Sequence, residues 1–126
     1  MNCETDFVAK NEDFIAFSRE VAQDLLGNPE IDLESKRTEQ VAKIGENIRI
    51  SRSESLAPSG NGVVESYVHT GAKVAVLIAI STESVLSEES NSKVLSLAKD
   101  ICMHIAATSP VCVSRDDIPS ELVEKE

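Results

Sequence analysis

Val74-Ala75-Val76-Leu77-Ile78-Ala79-Ile80 is an unbroken apolar run. A strand of Val, Ala, Leu and Ile with no polar alternation implies burial on both faces, hence a central strand covered by helices. Just upstream, Thr70-Gly71 supplies a turn, and residues 63–68 supply a strand that reaches it. Before these comes a second turn signal, Pro58-Ser59-Gly60-Asn61-Gly62. Before that, Ile48 and Ile50 alternate with Asn47, Arg49 and Ser51, the period of a half-buried strand. The economical arrangement is a three-stranded antiparallel meander.

The cover comes from segments with helical period. Phe14, Phe17, Val21 and Leu25 recur at three and four residues over 12–26 and define one apolar face. Asn11 is placed to cap its start, and Gly27-Asn28-Pro29 is a stop signal. A second helix is expected over 32–44, with Leu33, Val41 and Ile44 on a thinner stripe and Gly45 as its exit. Residues 81–92 read as a polar loop leading into a third helix over 92–107, whose stripe holds Val94, Leu97, Ala98, Ile101 and Ile105. Pro110 ends it, 111–113 reads as a short strand or extended segment, and Ile118-Pro119 opens a final turn over 120–123. The expected class is α+β: a three-stranded antiparallel sheet packed with about three helices, in a single domain over 1–126. No internal repeat is present.

Composition fits one ordinary domain, since 126 residues with 41% hydrophobic content build a real core. Aromatic residues make up only 3%, so aliphatic side chains supply most of the buried area and each of the three Phe needs a reason. The formal charge of −10 repels phosphate backbones and anionic lipid, which argues against nucleic acid or a membrane as direct partners. Lys36, Arg37, Lys43, Arg49 and Arg52 lie close in sequence, but Glu34, Glu39, Glu46 and Glu54 are interleaved with them. That region reads as a mixed solvated surface. Cys3, Cys102 and Cys112 form no CxxC pair and are odd in number, against a disulfide framework or a tetrahedral zinc site and in favour of a reducing compartment. No secretory signal and no apolar run of membrane-helix length is present. Met1 stands directly against what reads as the interior of a motif, so a cut rather than a natural start is expected there.

Catalytic chemistry finds no constellation, because no nucleophile lies beside a base and no carboxylate pair has a reason for perturbed protonation. Cys102 and His104 are two apart on the expected helix and project about 200 degrees apart. Gly60-Asn61-Gly62 is too short, and too far from a strand-to-helix junction, to cradle a phosphate. Thr5 is placed to cap a short helical turn beginning at Asp6. Phe7 then has two placements: an exposed ring at the tip of that turn, or a core ring with Phe14 and Phe17, and spacing does not decide between them. His104 lies on the flank of its helix stripe, about 70 degrees from a centre near Ile101. It reads either as a boundary histidine bonded to a nearby carbonyl or, beside an exposed Met103, as a partner contact.

Several segments, in order, resemble elongation factor Ts. The run Asn2-Cys3-Glu4-Thr5-Asp6-Phe7-Val8-Ala9-Lys10, continuing to Phe14, resembles the N-C-x-T-D-F-V-A-K-x-x-x-F block of that family. Val41-Ala42-Lys43-Ile44-Gly45-Glu46-Asn47-Ile48 resembles its second block, and Tyr67-Val68-His69 with the strand over 73–79 its third. Residues 100–110, containing Met103-His104-Ile105-Ala106-Ala107, are similar to the fourth, and Val123-Glu124-Lys125-Glu126 falls at a family boundary.

The resemblance implies an α+β core subdomain acting in translation elongation as a guanine-nucleotide exchange factor. Its partner would be elongation factor Tu, bound in GDP and nucleotide-free states, with no covalent chemistry and neither cofactor nor metal of its own. Asp6 and Phe7 would enter the GTPase near its magnesium and phosphate site, with Phe7 as an apolar wedge. His104 matches a family histidine that also meets the GTPase domain. Val74 and Ala75 fall where the family often has an Ile-Gly-like contact pair, with Ala here in place of Gly. The family's ubiquitin-associated-like N-terminal domain and its second core subdomain have no counterpart in 1–126. A fragment that binds elongation factor Tu or the ribosome without exchanging nucleotide is therefore the alternative. The expected location is the bacterial cytoplasm, or an organelle interior after loss of a targeting peptide.

Overall fold

The computed structural model describes residues 1–123, and the chain forms two compact units. One gathers Met1–Ala57 with Val68–Val74, and the other gathers Pro58–Tyr67 with the chain from Ala75 onward. Of the closing segment matched to a family boundary, positions 124–126 lie outside the described residues.

The first unit is helical: a single turn α1 (Asp6–Ala9), then α2 (Glu12–Gly27) and α3 (Glu34–Ile44). α2 begins where its cap predicts, because Asn11 Oδ1 accepts from the amides of Asp13 and Phe14 at 2.8 and 3.3 Å. Those N–H groups have no partner inside the helix. Its end lies slightly beyond expectation: Gly27 remains helical, and the extended residue Asn28 is the cap, donating its N–H to the Asp24 carbonyl. α3 stops on Gly45 at φ 82°, a left-handed conformation that glycine adopts without a Cβ clash.

Phe14, Phe17 and Val21 form the buried face of α2 and close against Val8, Leu33 and Ile48. Lys36 ties α3 back to α2, its Nζ lying 2.6 Å from both Glu20 Oε1 and Asp24 Oδ2. Lys43 reaches Asp13 at 3.0 Å and Arg37 pairs with Glu34, so Lys36, Arg37 and Lys43 of the mixed-charge region each have an acidic partner.

The second unit holds β1 (Asn61–Val68, its last residue grouped with the first unit) and β2 (Ala75–Thr82), which form a two-stranded antiparallel sheet. α4 (Glu88–Thr108) packs on β2. A 3-10 turn at Arg115–Asp117 and a single turn α5 (Ser120–Val123) follow. Gly62 brings β1 close against β2: a Cβ built there would stand 2.0 Å from the Ile80 carbonyl oxygen.

The α+β class stands, but the three-stranded sheet does not. Among the described residues, 47–51 contributes no strand to the sheet and makes only an isolated antiparallel bridge between Asn2 and Arg49. Its backbone groups are used elsewhere: Arg49 exchanges both amide bonds with Asn2, at 2.8 and 2.9 Å, and the Ile48 carbonyl accepts from Arg37. Ile48 is fully buried among helices, so its alternation with polar neighbours reflects a helical core rather than a sheet face. The glycine-rich turn at 58–62 accordingly leads into β1 instead of joining two paired strands.

Helices also exceed the three expected, since the single turns α1 and α5 join α2, α3 and α4. α4 starts earlier than its periodicity suggests, because Ser87 Oγ caps it by accepting from the Ser90 amide. β2 is not buried on both faces: Val76, Ile78 and Ile80 are half-buried, while Ala75 is exposed and Leu77 is 42% exposed. The segment 111–113 is not a strand, and Val111 and Val113 are exposed.

Candidate functional site

α1 is the smallest element of the first unit and the one that presents the T-D-F residues. Thr5 caps it as expected, its Oγ1 accepting from the Val8 amide at 3.3 Å. A four-residue helix does not hold itself in water, because the first hydrogen-bonded turn fixes more dihedrals than it gains bonds. Tertiary anchors therefore set its geometry. Val8 is one of them, buried against Phe14 and Phe17. Glu46 is another: Oε2 accepts from the amides of Glu4 and Thr5 at 3.2 and 3.0 Å, and Oε1 accepts from Thr5 Oγ1.

With its backbone held in this way, Phe7 points out, 89% exposed. Of the two placements open in the sequence, the ring occupies the tip. An exposed ring on an anchored turn is an apolar knob with no partner in its own core. Asp6 beside it is also exposed, and Lys73 Nζ lies 3.4 Å from Asp6 Oδ1. That pair brings the loop between the strands to α1 within the first unit, and Val74 adjoins it, 41% exposed.

Ala75 and His104 belong to the second unit and are both exposed. The buried side of α4 is centred on Ala98 and Cys102, whereas Leu97 and Ile101 are exposed. The stripe centre is thus one position beyond Ile101. At about 100 degrees per residue, His104 lies roughly 200 degrees from Cys102 and faces away from β2. Met103 is exposed too, at 40%. Cys102 points inward with its thiol 3.7 Å from the Glu65 carbonyl oxygen, so Cys102 and His104 are separated as their spacing requires.

Cys3 precedes the T-D-F residues, and its thiol pKa is raised, first by burial and then by the negative charge of Glu46. It is a poor thiolate and offers no nucleophile at α1. Among the described residues no group of three or more His, Cys, Asp or Glu is arranged to hold a metal ion. No described helix is long and apolar enough to cross a membrane.

Glu46 is the residue that pattern reading missed as part of this arrangement. It lies 41 positions from Thr5, and its own neighbourhood marks only a helix exit at Gly45. The one signal was its place inside the second ordered block.

Comparison with known proteins gives a consistent result. The family model described as Elongation factor TS matches residues 4–126. The elongation factor Ts of Aromatoleum aromaticum is 41% identical over the whole of this chain, which spans 43% of that relative. Those of Thioalkalivibrio sulfidiphilus and Chlorobaculum parvum are each 39% identical, again over the whole chain, which spans 44% and 47% of them. The chain therefore spans about half the length of the relatives it matches. No solved structure matches it.

Proposed function

We propose, on the premise that this chain belongs to the elongation factor Ts family, that it acts in translation elongation by binding elongation factor Tu and promoting GDP release. The observation that carries the reading is Phe7, an apolar ring 89% exposed on a turn whose backbone is anchored by Val8, Thr5 and Glu46. A ring so presented is fitted to enter another protein. Asp6 brings a carboxylate to the same tip, suited to disturbing the water and ligand shell of a bound cation.

The physical logic is differential binding. A partner that prefers the loosened, nucleotide-free GTPase must weaken GDP by the coupling factor with which GDP weakens the partner. The magnesium ion at a nucleotide site is among its largest local charges, so a wedge that displaces its surroundings is an effective lever. No bond is made or broken in the factor itself. In this reading Asp6 and Phe7 form the lever, while His104, Val74 and Ala75 are further contacts to the GTPase. Residues 1–126 correspond to one core subdomain, and the protein works in the bacterial cytoplasm or an organelle interior.

Fluorescent mant-GDP release from elongation factor Tu tests this directly. Acceleration by the chain, abolished in Phe7→Ala, is the expected result; no acceleration at saturating protein sinks the exchange reading. A second reading draws on the chain's spanning only about half of its relatives' length: it docks on elongation factor Tu without exchange. Binding in a pull-down with an unchanged release rate would favour that one.

A further inference from the structure

We propose that Glu46 is a positioning residue for the Phe7 wedge, an inference that rests on the exchange reading above. A wedge acts on its target only while it is stiffer than what it displaces. Phe7 gains no stiffness from its own packing, so its direction is set by the backbone of α1.

Val8 anchors that turn in the core from within, while Cys3 and the Asn2–Arg49 bridge hold the chain that enters it. The Glu46 carboxylate joins these anchors at the backbone of the turn's entry. It accepts two consecutive backbone amides, those of Glu4 and Thr5, at the entry to α1. Its other oxygen accepts a hydrogen bond from the Thr5 hydroxyl and thereby orients the lone pair that receives the Val8 amide. Hydrogen bonds to an ionised acceptor are shorter and stronger than neutral ones. The left-handed residue Gly45 ends α3 immediately before Glu46, so the carboxylate is itself held at the exit of a packed helix.

Without the clamp, α1 samples orientations in which the ring misses its target. The effective activity falls by the fraction of time the competent orientation is lost. Docking through residues outside α1 is untouched.

The test is stopped-flow mant-GDP release from elongation factor Tu with wild type, Glu46→Ala, Glu46→Gln, Phe7→Ala and the double variant Phe7→Ala/Glu46→Ala. Glu46→Ala is expected to lower the saturated release rate by about tenfold, with the half-saturating concentration within about twofold of wild type. Glu46→Gln keeps one acceptor oxygen and recovers part of the rate. In the Phe7→Ala background, loss of Glu46 adds nothing, since a residue acting through the ring is silent once the ring is gone. Amide hydrogen exchange should quicken at Thr5 and Val8 while circular dichroism reports the same melting. Should Glu46→Ala fail to fold, Glu46→Gln carries the same comparison. An active wild type with an equally active Glu46→Ala, or a further loss on top of Phe7→Ala, overturns the proposal alone. An inactive wild type overturns the exchange reading and this proposal with it.

Discussion

Phe7 and Val8 are neighbours on one helical turn, yet Val8 is 8% exposed in the core and Phe7 is 89% exposed. Substitution should separate them. Phe7→Ala removes a ring that packs on nothing and should change stability by less than about 0.5 kcal/mol. Val8→Ala should cost about 2 kcal/mol through lost burial and a residual cavity. Urea denaturation measures both, and a Phe7→Ala loss as large as that of Val8→Ala would mean the ring packs in solution.

Phe17 is the deepest aromatic of the first unit, closed in by Val8, Phe14 and Ile48. Phe17→Ala is expected to cost about 3–5 kcal/mol. Leu77→Ala, at an exposed position of β2, should cost under about 1 kcal/mol although the apolar run around it reads as core. Equal losses at the two positions would indicate that the outer face of β2 is covered.

Two glycines should respond in opposite directions. Gly62→Ala drives a methyl against the Ile80 carbonyl oxygen, 2.0 Å from the ideal Cβ position, and one strand must move. The expected loss exceeds about 2 kcal/mol. Gly27 is helical with open space around it, so Gly27→Ala should stabilise by about 0.5–1 kcal/mol. Thermal melts of the two variants against wild type decide the matter.

Glu34 should add to the acid limb of stability. The side-chain hydrogen bond from Arg37 holds its carboxyl below the usual carboxylate range, and the guanidinium charge adds to this. A pKa depressed on folding gives a contribution that is complete above the ordinary value of about 4.3 and is lost as pH falls through the lowered one. Glu34→Gln should therefore flatten part of the decline in urea midpoint below about pH 4 while leaving the neutral-pH slope alone. An acid limb identical to that of wild type would show that the pair contributes nothing.

The helices were legible for reasons that Phe14, Phe17 and Val21 make plain: one side of α2 is core and the other water, so burial and period coincide. The third strand failed because alternation at Ile48 and Ile50 reports which side is buried, not which backbone supplies the hydrogen bonds. Here the bonds come from Asn2 and Arg37. The seven-residue run from Val74 to Ile80 overstated its burial, because apolar content sets an appetite for cover while α4 packs on β2 with Leu77 still exposed. Asp6, Phe7 and His104 are proposed contacts on the ordered blocks alone, whereas the outward aim of the ring depends on anchors elsewhere in the chain. Glu46 left no local trace, since a carboxylate reaching across 41 residues has no period.

That separation has a consequence for the order of events during synthesis. A nascent chain that has released Phe7 from the ribosome carries the T-D-F residues without their geometry until Glu46 emerges. At about 5–20 residues per second, this leaves a window of roughly 2–8 s. During it the ring is an unplaced hydrophobe on a segment that has not yet folded. The turn takes its fixed geometry only when α3 has delivered Glu46, so the placing of Phe7 is timed by a residue far behind it.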